Sequence, residues 1–75
     1  MKEKLDTKEL EKLGFKLDFD GCYELNNISI VPDFRLSKNV FLKTSESNGL
    51  WFEVDMKIRF VYELKKLMKL FNNKT

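Results

Sequence analysis

Asp55-Met56-Lys57-Ile58-Arg59-Phe60-Val61-Tyr62-Glu63-Leu64-Lys65-Lys66-Leu67-Met68-Lys69-Leu70-Phe71 is the clearest periodic stretch of the chain. At 3.6 residues per turn, Met56, Phe60, Val61, Leu64, Leu67, Met68 and Phe71 fall in one apolar stripe about 140° wide. Asp55 offers a side-chain oxygen to the amides of a first turn. The pattern predicts a helix over about 56–71, roughly 24 Å long. Its other side carries Ile58, Arg59, Tyr62, Lys65, Lys66 and Lys69. The three lysines lie toward the C-terminus, where positive charge complements the helix dipole. A stripe of this kind needs an apolar surface to lie on, and the residues upstream supply one.

Val40 and Leu42, then Leu50, Phe52 and Val54, alternate as in strands, with the polar loop Ser45-Glu46-Ser47-Asn48-Gly49 between them. This reads as a hairpin whose other face carries Phe41, Lys43, Trp51 and Glu53. Phe15, Leu17 and Phe19 alternate with Lys16 and Asp18 and predict another strand. Asp20-Gly21 marks a turn. A three-residue loop, Asp20-Gly21-Cys22, sets Phe19 opposite Tyr23 and Leu17 opposite Leu25, which keeps apolar residues on one face. Asn26-Asn27 then either turns the chain or makes a bulge, because apolar parity shifts from Tyr23/Leu25 to Ile28/Ile30. Val31-Pro32-Asp33 ends that strand. Phe34 and Leu36 alternate and allow a short edge segment.

Near the N-terminus, Asp6 and Glu9 have the spacing of a capping box, and Leu5 and Leu10 that of a hydrophobic staple. Gly14 can close the helix in a left-handed conformation, with Phe15 folding back on Leu10. A helix over about 7–13 follows, too short to be stable alone. The whole is a single α+β domain over 1–75: a short N-terminal helix, an antiparallel sheet of three to four strands, and a long C-terminal amphipathic helix packed on the sheet. Residues 72–75 read as a frayed tail.

Composition narrows the function. The 75 residues allow one small core, burying roughly 60% of the unfolded surface, and leave no room for a deep catalytic cleft. At 43% hydrophobic the chain is too apolar to be disordered. No apolar run reaches the roughly 18 residues of a membrane span, and the charged start, Met1 to Asp6, has no secretory segment behind it. The expected setting is a reducing cytosol. With no His, acid–base and zinc chemistry lose their commonest side chain. Cys22 is single, and no neighbouring base or helix N-terminus lowers its pKa. Asp18, Asp20 and Glu24 cluster at a turn, where carboxylates cap amides. The expectation is a protein that is not an enzyme and that uses no cofactor and no metal.

Charge is uneven. Residues 1–37 hold six basic and eight acidic groups, a balance of −2, while 38–75 hold eight and four, a balance of +4. Arg59, Lys65, Lys66 and Lys69 around Tyr62 and Ile58 suit a phosphate backbone or an acidic protein surface. Twelve Lys against two Arg argue against sequence-specific base reading. Phe41 and Trp51 lie between residues assigned to the core side. Either they are exposed, as a partner site would be, or the N-terminal helix covers them through Leu10 and Leu13. The candidate partner-binding set is therefore Phe41, Trp51, Ile58, Arg59, Tyr62, Lys65, Lys66 and Lys69, with Trp51→Ala expected to weaken binding more than Lys69→Ala.

The absence of Ala and Gln beside abundant Lys, Phe and Asn points to an AT-rich genome. Leu10-Glu11-Lys12-Leu13-Gly14-Phe15, Tyr23-Glu24-Leu25, Ile28-Ser29-Ile30, Gly49-Leu50-Trp51-Phe52-Glu53-Val54 and a closing Lys/Leu-rich helix resemble small phage and prophage proteins of AT-rich bacteria, a type that includes anti-CRISPR inhibitors. The resemblance is one of pattern, and it carries over no functional residue. It implies docking on a larger nucleic-acid-handling machine, such as a CRISPR effector or its RNA complex. Two alternatives stand beside it: a direct nucleic-acid-binding protein, weak and salt-sensitive, and a self-associating accessory protein. The free protein is expected to be a monomer or homodimer with no membrane partner.

Overall fold

The computed structural model describes residues 4–72. It shows mixed helix and sheet: α1 (Thr7–Lys12), β1 (Lys16–Leu17), β2 (Tyr23–Leu25), β3 (Ile28–Ile30), β4 (Val40–Leu42), β5 (Phe52–Val54) and α2 (Val61–Asn72). The strands form one antiparallel meander in the order β1-β2-β3-β4-β5. Five strands replace the expected three to four, because Asn26-Asn27 is a turn. Leu25 stands opposite Ile28, and Asn26 takes a φ of +55°, which asparagine tolerates better than most residues. Asn72, expected in the tail, is the last residue of α2, and residues 73–75 lie outside the described residues.

The ends of α1 follow their local signals. Asp6 Oδ1 accepts the Glu9 amide at 2.9 Å, and Leu5 and Leu10 on either side of the cap are both buried. At the other end Gly14 has a φ of +100°. The Phe15 amide donates to Leu10 O and the Gly14 amide to Glu11 O, each at 3.0 Å. These are the two bonds of a Schellman ending, and Leu10 and Phe15 meet in the core.

The first hairpin departs from expectation. Lys16 pairs with Glu24 and Leu17 with Tyr23, so the loop runs over the five residues 18–22. Asp18 is the cause. Its Oδ1 accepts the amides of Asp20 (2.8 Å) and Cys22 (3.0 Å), and its own amide donates to Cys22 O (2.9 Å), so the first strand ends at Leu17, two residues earlier than expected. Relative to the expected pairing the register moves by two, which preserves the faces. Phe19 leaves the strand and is 98% exposed, and Leu17 is exposed too. In the second hairpin Val40 faces Val54, Phe41 faces Glu53 and Leu42 faces Phe52, as alternation required, but Leu50 lies outside β5 and is exposed. Residues 33–38 form no strand. Leu36 N–H donates to Asp33 O in a turn, and the Arg35 guanidinium holds the Asp33 carboxylate.

One face of the sheet carries Tyr23, Leu25, Ile28, Ile30, Val40, Leu42 and Val54, and these pack with Leu5, Leu10 and Phe15 and with Val61, Leu64 and Leu67 of α2 in a single core. Both helices therefore cover the same face. Across the other face run Lys16, Glu24, Ser29, Phe41 and Glu53, one residue from each strand.

The expected helix start at Met56 is wrong by five residues. Glu63 Oε1 accepts the amides of both Arg59 (2.9 Å) and Phe60 (3.0 Å), which caps α2 at Phe60. Asp55, which looked like the cap, is exposed and stands 3.8 Å from Lys38 Nζ.

Candidate functional site

The segment that fails to be helix builds the most distinctive surface of the molecule. Met56 to Phe60 is strapped down from two sides. The Asn39 side chain, fully buried, donates from Nδ2 to Ile58 O (3.0 Å) and accepts the Ile58 amide at Oδ1 (2.9 Å). Its backbone amide donates to Met56 O at 3.3 Å. On the other side the Leu5 amide donates to Arg59 O at 2.8 Å, and Lys4 bridges Phe60. A buried amide must have its partners or cost free energy, so Asn39 and Ile58 satisfy each other. The Ile58 side chain is then turned into the core.

Ile58 is thereby corrected. It is 2% exposed and lies before the helix, so it belongs to no outward helix face. Arg59 is exposed, also ahead of the helix, and lines a cavity of about 360 Å³ with Phe34 and Phe60. Tyr62, Lys65, Lys66 and Lys69 are exposed together on α2. With Leu70 they span an arc of about 140° at 3.6 residues per turn.

Beside that arc, between α2 and the strap, is a groove of about 300 Å³. Buried Ile58 and Leu67 form its floor, and exposed Met56, Tyr62 and Leu70 its walls. Lys57 and Lys66 stand along it. The Lys66 ammonium is 5.9 Å from the centre of the Tyr62 ring, which stacks at 6.0 Å on Phe60. Glu63 also lines the groove, but its Oε1 is engaged by the two amides at the helix start. The result is an apolar trough with a basic edge.

Phe41 and Trp51 are elsewhere. Phe41 projects from the sheet face away from the helices, and Trp51 immediately precedes β5. Lys43 Nζ lies 4.6 Å over the Trp51 ring. Both aromatics are half-buried. Helix α1 does not cover them, since Leu10 and Leu13 pack into the core on the opposite face. The predicted set is thus split: Tyr62, Lys65, Lys66 and Lys69 share the outward face of α2, Phe41 lies on the opposite sheet face with Trp51 near it, Ile58 is in the core and Arg59 lines a separate cavity. Met56, Lys57, Leu70 and Asn39 were missed. Leu70 had a signal, an apolar residue within an arc of lysines. Met56 was placed in the helical stripe, and Asn39 acts over 19 positions of sequence with no local signature.

The acidic turn holds amides through Asp18, as described. Burial, and then the Asp18 carboxylate with Asp20 and Glu24 behind it, pushes the Cys22 thiol above its ordinary pKa, although a hydrogen bond with Ser29 opposes this. A thiol in that setting is a poor nucleophile at neutral pH. Among the described residues no three acidic or thiol groups gather to hold a metal ion, and no helix is long and apolar enough to cross a membrane. Compared with known proteins, the chain matches no family model, no curated protein and no solved structure.

Proposed function

We propose that this protein is a binding module without chemistry of its own, which docks on a larger protein through the outward face of α2 and the groove beside it. The observation that carries this reading is the convergence of Met56, Tyr62 and Leu70, all exposed, on one trough edged by Lys57 and Lys66. Exposed apolar side chains scattered singly mean little, whereas a concave cluster with a charged rim has the form of an interface centre. The matching partner surface presents an apolar side chain among carboxylates. The likeness to small phage proteins makes a nucleic-acid-handling defence effector the first partner to try.

The test is affinity capture from host extract with wild type and with Leu70→Glu, each with and without nuclease and across a salt series. Leu70 is 70% exposed, so the substitution spares the fold. A partner held after nuclease and at moderate salt, and bound roughly tenfold more weakly by Leu70→Glu, supports the reading. Binding that vanishes with nuclease or moderate salt assigns the lysines to phosphate instead.

A further inference from the structure

Phe19 is displayed in an unusual way. It is 98% exposed, yet it does not sit on a loose loop. Four hydrogen bonds hold the turn around it: Asp18 Oδ1 to the Asp20 and Cys22 amides, the Asp18 amide to Cys22 O, and the Gly21 amide to Asp18 O at 3.2 Å. Leu17, 59% exposed, stands two residues before it. Asp18 and Asp20 flank Phe19 in sequence; the Asp18 carboxylate holds the turn, and Asp20 is exposed. The feature is a preorganised apolar finger with an exposed carboxylate, Asp20, next to it in sequence. A turn whose conformation is fixed beforehand loses little freedom on binding.

The groove between Met56–Ile58 and α2 is its complement in shape, polarity and charge: concave, apolar at the floor, and edged by Lys57 and Lys66. The uneven charge of the chain, −2 in its first half and +4 in its second, is the same complementarity at larger scale. Within one molecule the two features stand apart. The finger belongs to the β1 edge of the sheet, and the groove adjoins the segment that follows β5 at the other edge. We propose that the Phe19 turn of one copy seats in the Met56/Tyr62/Leu70 groove of a second copy, with the exposed Asp20 carboxylate toward Lys57 and Lys66. In a two-fold pair each finger fills the other's groove, so both contacts form at once. A copy seated there excludes a protein partner from the same trough. Self-association itself needs no partner, so its failure would leave the proposed function standing.

The experiment is sedimentation equilibrium of the purified full chain up to about 1 mM, the range of weak contacts. The expected result is a concentration-dependent rise from 9.0 kDa toward twice that mass. Phe19→Ser and Leu70→Glu should each weaken association roughly tenfold or more, while Leu50→Glu, at another exposed leucine, leaves it unchanged. An unaltered melting midpoint in each variant shows that the fold is intact. A wild type that stays at 9.0 kDa throughout overturns the proposal. So does association that survives Phe19→Ser or Leu70→Glu, or that is abolished by Leu50→Glu.

Discussion

Asn39 shows how much a single buried amide can determine. It satisfies both backbone groups of Ile58 and so fixes the floor of the groove. Asn39→Ala leaves a buried N–H and a buried C=O unpaired, with an expected loss of about 2 kcal/mol or more. For a domain of this size that is a fall of roughly 8–16 °C in Tm, read by thermal denaturation. Gly14 acts through its backbone. A β-carbon there would meet only the Leu25 side chain, at 3.7 Å, an ordinary contact. The cost of Gly14→Val therefore comes from a φ of +100°, and about 1–2 kcal/mol is expected. An unchanged midpoint would remove Gly14 from the helix ending. Cys22 titrates high, so at any pH below that value the folded protein holds less thiolate than the unfolded chain. Alkylation by iodoacetamide at neutral pH should be slower in the native protein than in urea. The sign also means that as pH rises the unfolded thiol ionises first, so stability declines through the alkaline range.

At the scale of elements, the capping carboxylate of α2 is the most informative. Glu63→Ala removes the acceptor of two amides and should cost about 1 kcal/mol, measured by the melting midpoint. The ends of α1 were legible because every signal, from Leu5 and Asp6 to Gly14 and Phe15, acts within a few residues. The start of α2 was not. Asp55 is the better N-cap by residue type, and only long-range pairing with Asn39 and Leu5 keeps 56–60 out of the helix. Strand alternation was read correctly in β4 and β5, since Val40, Leu42, Phe52 and Val54 share a face. Register in the first hairpin was missed because the Asp18 side chain, rather than Asp20-Gly21, determines where the loop closes. Lys65, Lys66 and Lys69 were legible from the helical period, whereas Lys57, ahead of α2, was not. The groove was not, since one of its walls is the segment mistaken for helix.

At the scale of the molecule, both helices lie on one face of a five-stranded meander, and this separates the candidate surfaces. The open sheet face carries Phe41, one residue from the end of β4, and Lys43, just past that end, lies over the Trp51 indole. The helix layer carries the groove with Lys57 and Lys66. One rigid, flat partner cannot cover both, so a footprint distinguishes them. The lysines are natural reporters, because each surface has its own. The direct measurement is lysine acetylation of the protein alone and in complex with its captured partner, read residue by residue by mass spectrometry. Slowed modification of Lys57 and Lys66 with Lys43 unchanged is the expected outcome; protection of Lys43 with Lys57 and Lys66 unchanged would contradict docking through the groove.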